Sequence, residues 1–345
     1  MPILQENTSL KNYNTFGIDV NAKYFAEVKS IADLKEVFSH LIAPKGLLGS
    51  KEKQLLVLGG GSNMLFTKDF DGLVVKVSIP GISFTTEGDD VMVTAGGGIV
   101  WNDLVNYCVD NGFAGIENLS LIPGTVGASP IQNIGAYGVE LKDVFHSCQA
   151  FEIATGEIRT FTYADCKFDY RDSVFKNELK GKYIITSVVF HLSKKANLQT
   201  HYGAITTELE NRHINEPTIA DVSKVVSHIR VSKLPDPKTI GNAGSFFKNP
   251  VIEKPAFDKL IKKFPEIVNY PIANGNVKLA AGWLIEQCGF KGKVVGETGT
   301  WKNQALVLVN HGHASGQEVY NFSEQIIKTV YTKFNVQLER EVNIL

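Results

Sequence analysis

GIENLSLIPGTVGASPIQNIGAYG, residues 115–138, is the stretch that decides how this chain folds. Five glycines (Gly115, Gly124, Gly127, Gly135, Gly138) and two prolines (Pro123, Pro130) fall within it, which excludes a long helix or a regular strand. Glycine permits positive φ and lets a ligand approach bare backbone, while proline fixes turns. The stretch holds no Lys, Arg or His, so an anion bound here is held by backbone N–H groups. Glu117, its one carboxylate, stands at the entrance. Gln132 and Asn133 carry amides that donate and accept, which suits the edge of a heteroaromatic ring. A structural loop over a core is the alternative, but loops this long are uncommon in compact domains unless they bind something.

Upstream lies QLLVLGGGSNMLF, residues 54–66, an apolar strand running into Gly59-Gly60-Gly61-Ser62-Asn63. Three glycines after a strand suit a phosphate on bare backbone. The run departs from G-x-G-x-x-G and no capped helix follows directly, so it is not a dinucleotide Rossmann signature.

Together, GGGSNMLF and IPGTVGASPIQNIGAYG resemble the PCMH-type (vanillyl-alcohol-oxidase-type) FAD-binding domain, and their wording is similar to the UDP-N-acetylenolpyruvoylglucosamine reductase family. The resemblance implies an α+β fold. A two-part PCMH-type FAD-binding region would be joined by a smaller α/β substrate-binding domain, with a C-terminal strand returning to the active site. It also implies a cofactor set: Gly59, Gly60, Gly61, Ser62 and Asn63 from the first loop, then Pro123, Gly124, Gly127, Ala128, Gln132, Asn133, Gly135, Ala136 and Tyr137 from the second. Neither 59–63 nor 123–138 contains a histidine, so noncovalent FAD is expected.

At 345 residues the chain is long for one core and suits two or three domains. A net charge of −1 offers no electrostatic footprint for nucleic acid. No run reaches the length of a membrane span, and MPILQENTSLKNYNTFG lacks the regions of a signal peptide. Cys108, Cys148, Cys166 and Cys288 form no C-x-x-C pair, and the histidines do not cluster with carboxylates at metal-ligand spacing. The expectation is a cytoplasmic chain without disulfides or a metal, acting as a monomer on a small molecule, with no nucleic-acid or membrane partner.

Helical spacing marks 30–42, with Ser30 as cap and Leu34, Val37, Phe38 and Leu41 as its stripe. It also marks 100–112, ending at Gly112, then 219–233, 255–264, 279–288 and 315–333. Strands are expected at 55–58, 72–77, 91–98, 144–153, 157–162, 183–192 and 305–310, and the final FNVQLEREVNIL reads as a closing strand. Two prolines and two glycines in LPDPKTIGNAG, 234–244, place a boundary there. The expected division is 1–67 and 68–233 for the two FAD-binding parts and 234–345 for the substrate domain.

Three further segments carry candidate chemistry. In FDYRDSVFK, 168–176, Arg171 stands between Tyr170 and Asp172. An ion pair with Asp169 or Asp172 is as good an explanation as function from the residues alone; the family resemblance, through Y-R-D-S, implies a catalytic-site arginine. In IGNAGSFFKNP, 240–250, a glycine-rich turn presents Ser245 without a G-x-S-x-G elbow, and the resemblance implies a proton donor. In LEREV, Glu339 and Glu341 share one strand face, and the resemblance makes Glu341 the catalytic one. Family members commonly continue with an R-F-I-G-type sequence, where this chain reads Asn343-Ile344-Leu345. Weaker matches to substrate-contacting positions are Tyr202, Lys233, Asn249 and Gln304, and His201-Tyr202-Gly203 is similar to the longer-loop subgroup, type I.

The activity so implied is NADPH-dependent reduction of UDP-N-acetylglucosamine enolpyruvate to UDP-N-acetylmuramate through FAD, in peptidoglycan precursor synthesis. An oxygen-using PCMH-type oxidase and an inactive flavin-binding protein are the alternatives.

Overall fold

A computed structural model describes residues 3–42, 54–272 and 275–345. The chain forms two compact units, each built from separated segments: Met1–Thr8, Ala22–Gly60 and Asp71–Arg230 in the first, Ser9–Asn21, Gly61–Phe70 and Val231–Leu345 in the second.

In the first unit, helix α1 (Ile31–Ile42) buries Leu34, Val37 and Phe38; Leu41 of the same stripe lies outside the described side chains. It packs on a four-stranded sheet ordered Gln5–Ser9, Asn21–Val28, Phe70–Val77, Gln54–Leu58. The last two run parallel, from Gln54 against Gly72 to Leu58 against Lys76. That register delivers the end of the Leu58 strand directly into Gly59 and Gly60.

A five-stranded antiparallel sheet follows, ordered Ile158–Thr162, Phe145–Glu152, Tyr183–Ser193, Asp90–Gly96, Ile82–Glu87. Helix α2 (Trp101–Asp110) lays Trp101, Leu104, Val105 and Cys108 on the core of this sheet, an i, i+3, i+4, i+7 stripe. It ends where Gly112 takes φ +73°, a conformation glycine adopts without a steric penalty. The strand expected over 91–98 stops at Gly96. Gly97 and Gly98 instead thread between main chains: a Cβ on Gly97 would sit 2.5 Å from the Ile185 carbonyl oxygen, and one on Gly98 2.3 Å from the Ser78 carbonyl carbon. Helices α3 (Tyr163–Cys166), α4 (Gly203–Asn211) and α5 (Ile219–Lys233) complete the unit, except that the last three residues of α5 belong to the second.

In the second unit a four-stranded antiparallel sheet is ordered Gly241–Ser245, Gln304–Asn310, Thr298–Trp301, Val294–Val295. Beside it stand a three-stranded sheet (Val251–Ile252, Val277–Leu279, Asn269–Pro271) and helices α6 (Lys254–Lys263), α7 (Ala281–Gln287) and α8 (Gly316–Phe334). Ser315 caps α8 in a capping box with Glu318.

The closing strand expected over the whole final segment is shorter than its alternation suggested. Val336, Leu338 and Val342 are buried, but only Asn343–Ile344 forms a strand, parallel to Met64–Leu65. Residues 339–341 run beside 246–248 with too few ladder bonds for a regular strand: Lys248 N donates to Glu339 O (2.9 Å), Glu341 N donates to Phe246 O (2.9 Å), and a bridge joins Phe247 to Arg340.

Candidate active site and flavin cradle

Two loops of the first unit meet at Gly59 and Gly60. A Cβ on Gly60 would lie 2.8 Å from Gly124 Cα, and one on Gly59 2.6 Å from Thr125 Oγ1. The 115–138 stretch is held from behind. Trp101 N donates to Gly124 O (3.0 Å), Val126 N to Ile99 O (2.8 Å) and Gly127 N to Gly97 O (2.9 Å). The Trp101 indole donates to Leu119 O (2.9 Å). These bonds spend the inner face of the stretch on protein. Gly60, Pro123 and Ala128 are left exposed on the outer face.

Within the stretch, short 3-10 turns at Glu117–Leu119 and Val126–Ala128 lead to a hairpin in which Gly135–Ala136 pairs with Val139–Glu140. Its two turn residues, Tyr137 (φ +49°) and Gly138 (φ +85°), both take left-handed backbone, as a tight two-residue hairpin requires. Asn133 departs from the role suggested by its amide. It is fully buried, its Nδ2 donates to Glu140 Oε2 (2.9 Å) and Asp169 O (3.0 Å), and its Oδ1 accepts from Lys142 N (3.0 Å). What Asn133 offers a ligand is its main chain. Gln132 is half-buried beside it.

Arg171 sits at the tip of a turn closed by reciprocal bonds between Asp169 and Asp172 (3.1 Å each), with φ +55°. Its Nη2 donates to Gly135 O at 2.7 Å. A catalytic candidate and a cofactor-loop candidate are thereby joined directly. Tyr202, at the start of α4, presents its ring edge-to-face with Tyr137 at 5.4 Å.

In the second unit, the segments 13–16, 61–66, 240–250 and 339–345 converge. Thr15 N donates to Gly61 O (3.1 Å), Asn242 N to Thr15 O (2.9 Å), and Asn63 Nδ2 to Glu341 O (3.3 Å). Ser62 is half-buried in the same run. Ser245 ends its strand after a bulge at Ala243-Gly244, where Gly244 has φ +67° and its N–H is held by Asn242 Oδ1 (3.0 Å). Bulges re-aim the side chain that follows. The Ser245 hydroxyl makes no hydrogen bond among the described residues, while the next residue, Phe246, accepts from Glu341 N. Ser245 and Glu341 are thus neighbours across one strand pair. Arg340 points to the opposite side, onto Ser323 (2.8 Å) and Glu324, as strand alternation demands.

Asn249 and Gln304 are brought to the same place. Asn249 Oδ1 accepts from Ala281 N at the start of α7 (2.9 Å), and Gln304 Oε1 lies 2.8 Å from where a Cβ on the next residue, Gly282, would stand. Lys233 ends α5, exposed and without an ion pair among the described residues. Arg171 and Tyr202 belong to the first unit, and Ser245, Glu341, Lys233, Asn249 and Gln304 to the second.

Residues 22–162 match the model of an FAD binding domain, and residues 236–345 match that described as "UDP-N-acetylenolpyruvoylglucosamine reductase, C-terminal domain". A UDP-N-acetylenolpyruvoylglucosamine reductase of Flavobacterium johnsoniae is 51% identical over 99% of both chains. The chain belongs to the UDP-N-acetylenolpyruvoylglucosamine reductase family. Family members of Chromobacterium violaceum (48% identical, 98% of each chain) and Pseudomonas aeruginosa (47%, 99% of this chain and 98% of that one) agree. The crystal structure of the family member from Thermus caldophilus shares the fold at 22% identity, with a TM-score of 0.66 over 100% of this chain and 98% of that one.

The cradle fits the flavin cofactor that an FAD binding domain implies. Gly59 and Gly60 approach the second loop so closely that a Cβ on either would intrude on Thr125 or Gly124. Sequence patterns did not single out Asn242, which braces the bulge before Ser245, or Gly97, which accepts from Gly127 at the rear of the 115–138 stretch, and its neighbour Gly98. A buried asparagine and a glycine threaded between main chains give no periodic signal.

Proposed function

We propose that this chain reduces UDP-N-acetylglucosamine enolpyruvate to UDP-N-acetylmuramate with NADPH as the reductant and FAD as the bound cofactor, in peptidoglycan precursor synthesis. The observation that carries this is full-length identity to named reductases, 51% over 99% of the chain. An oxygen-using oxidase and an inactive flavoprotein are not favoured by it.

FAD, when bound, would supply hydride-transfer chemistry between NADPH and the enol ether. The proposed cofactor contacts are Gly59, Gly60, Gly61, Ser62 and Asn63 with Pro123, Gly124, Gly127, Ala128, Gln132, Asn133, Gly135, Ala136 and Tyr137. Arg171 would place a permanent cation where negative charge gathers on the substrate carboxylate, a form of stabilisation that preorganised charge supplies without reorganisation. Ser245 would hold the proton delivered to the adjacent carbon, so that hydride and proton together saturate the double bond. A hydroxyl is a weak acid and needs a strongly basic carbon and close geometry for this. Glu341 would polarise a water or a neighbouring donor. Tyr202, Lys233, Asn249 and Gln304 are proposed to bind the sugar nucleotide, with Lys233 as a point charge for phosphate. In this scheme 1–67 and 68–233 are the FAD-binding parts and 234–345 the substrate-binding part, a functional division that crosses the compact units.

The chain is further proposed to act as a cytoplasmic monomer, without nucleic-acid or membrane partners. No helix among the described residues is long and apolar enough to cross a membrane.

The test is anaerobic. NADPH should bleach the flavin, and the enolpyruvyl sugar nucleotide should restore its colour with formation of UDP-N-acetylmuramate. A flavin that stays reduced until air enters would overturn the proposal.

A further inference from the structure

Ser223 and Arg230 lie seven residues apart on α5 and therefore share one helix face. Ser223 shares a 2.9 Å hydrogen bond with buried Ser120, in the first half of the 115–138 stretch. Arg230 has as its electrostatic neighbours the Tyr137 phenol, near the end of that stretch, and Arg171. This face of α5 is applied to the 115–138 stretch through Ser223, and Tyr137 packs against the buried cluster of the same helix.

The Arg230 Nε is buried and has no hydrogen-bond partner, and no ion pair involves the residue among the described residues. Burial pushes the guanidinium below its ordinary range, with the Tyr137 phenol acting in the opposite sense and Arg171 adding to the shift. Guanidinium stays protonated in proteins, so the fold carries a half-buried charge, its Nε fully buried, with no counter-charge among the described residues and with the like charge of Arg171 acting on it. Such a charge is costly unless paired. A neutral unbranched side chain would fill the same space at lower cost, so packing alone does not account for an arginine here.

We infer that Arg230 is an anion-binding side chain of this site, its charge and N–H donors kept for an oxyanionic group that arrives with a ligand. This rests on the reductase function proposed above, which supplies two sources of that chemistry. One is the negative charge acquired by the pyrimidine edge of the flavin on reduction; the other is the carboxylate or diphosphate of the sugar nucleotide.

The experiment uses FAD-loaded wild-type, Arg230→Met and Arg230→Lys proteins. If wild-type flavin is not reduced by NADPH and reoxidised by the sugar nucleotide, the reductase function itself fails, whatever Arg230 does. With wild type active, Arg230→Met should weaken one ligand about tenfold or more, the scale of a hydrogen bond to a charged group. A raised dissociation constant for the sugar nucleotide, read from the oxidised flavin spectrum, identifies substrate as the source. A midpoint potential lowered by about 30 mV or more, the two-electron equivalent of tenfold, identifies reduced flavin. The oxidised, substrate-free Arg230→Met protein should melt at or above the wild-type temperature, a result that a purely structural arginine would not give. If Arg230→Met does not fold, Arg230→Lys decides through the same two constants. Both constants within twofold of wild type in the folded variants would overturn the inference.

Discussion

Gly60 has its neighbour's main chain where a side chain would begin, with Gly124 Cα 2.8 Å from its missing Cβ. Backbone yields less readily than a flexible side chain, so Gly60→Ala should cost about 1–3 kcal/mol by overpacking. It should also purify with less FAD, as read from the ratio of flavin to protein absorbance; full occupancy and an unchanged melting temperature would count against the cradle. Ser245 invites a different measurement, because its hydroxyl is uncommitted among the described residues. Ser245→Ala should leave reduction by NADPH intact and slow reoxidation by the sugar nucleotide by about 10²–10⁴-fold, the range of a lost general acid. Equal slowing of both half-reactions would assign Ser245 to binding instead.

At the scale of elements, the tail 343–345 holds Glu341 in place from its C-terminal side. Asn343 N donates to Asn63 O (3.1 Å), Leu345 N to Leu65 O (2.9 Å) and Thr67 N to Leu345 O (2.8 Å). Removing these three residues should cost about 1–3 kcal/mol and lower turnover by loosening Glu341. A shortened chain with unchanged melting and turnover would leave the tail without a role. The same tail marks where sequence was informative. Val336, Leu338 and Val342 announced burial through their alternation, and they are buried. Alternation says nothing about the partner, and the partner, Met64–Leu65, is encoded some 280 residues earlier. Helices α1, α2, α5 and α8 were legible because each buries a periodic stripe. The strand Asn21–Val28 was missed because its polar positions carry Asn21, Lys23 and Glu27 among small and aromatic residues. Asn133 was visible as an amide in a glycine loop, but its three protein partners come from outside its own turn.

Acid stability belongs to the whole molecule. Thr162 holds the Asp165 carboxyl below its ordinary value, Thr218 does the same for Asp221, the Ser315 main chain for Glu318 and Arg340 for Glu324. Each titrates lower when folded, so the unfolded chain takes up protons first as pH falls. The stabilisation is complete above the unfolded carboxyl range, near pH 4, and is lost as pH drops through the folded values. These groups are solvent-exposed and each effect is small. The melting temperature should be level from about pH 5 upward and decline below about pH 4. Because Asp165 and Asp221 lie in the first unit and Glu318 and Glu324 in the second, both units should weaken. A melting temperature that stays constant down to pH 3 would refute this.

The interleaved segments also set an order of events during synthesis. The second unit takes Ser9–Asn21 and Gly61–Phe70 from the first part of the chain and everything else from Val231 onward. A ribosome delivers Met64–Leu65 some 280 residues before Asn343–Ile344, so that edge has no mate until the later segment emerges. The nascent first unit has most of its strands while two pieces of the second are still without their later partners. Domains generally fold as units while the chain emerges, and exposed edges invite wrong pairings. A chain arrested before Asn343 is therefore a strand short in the second unit, and leaves the Met64–Leu65 edge open to wrong pairings as well as loosening Glu341.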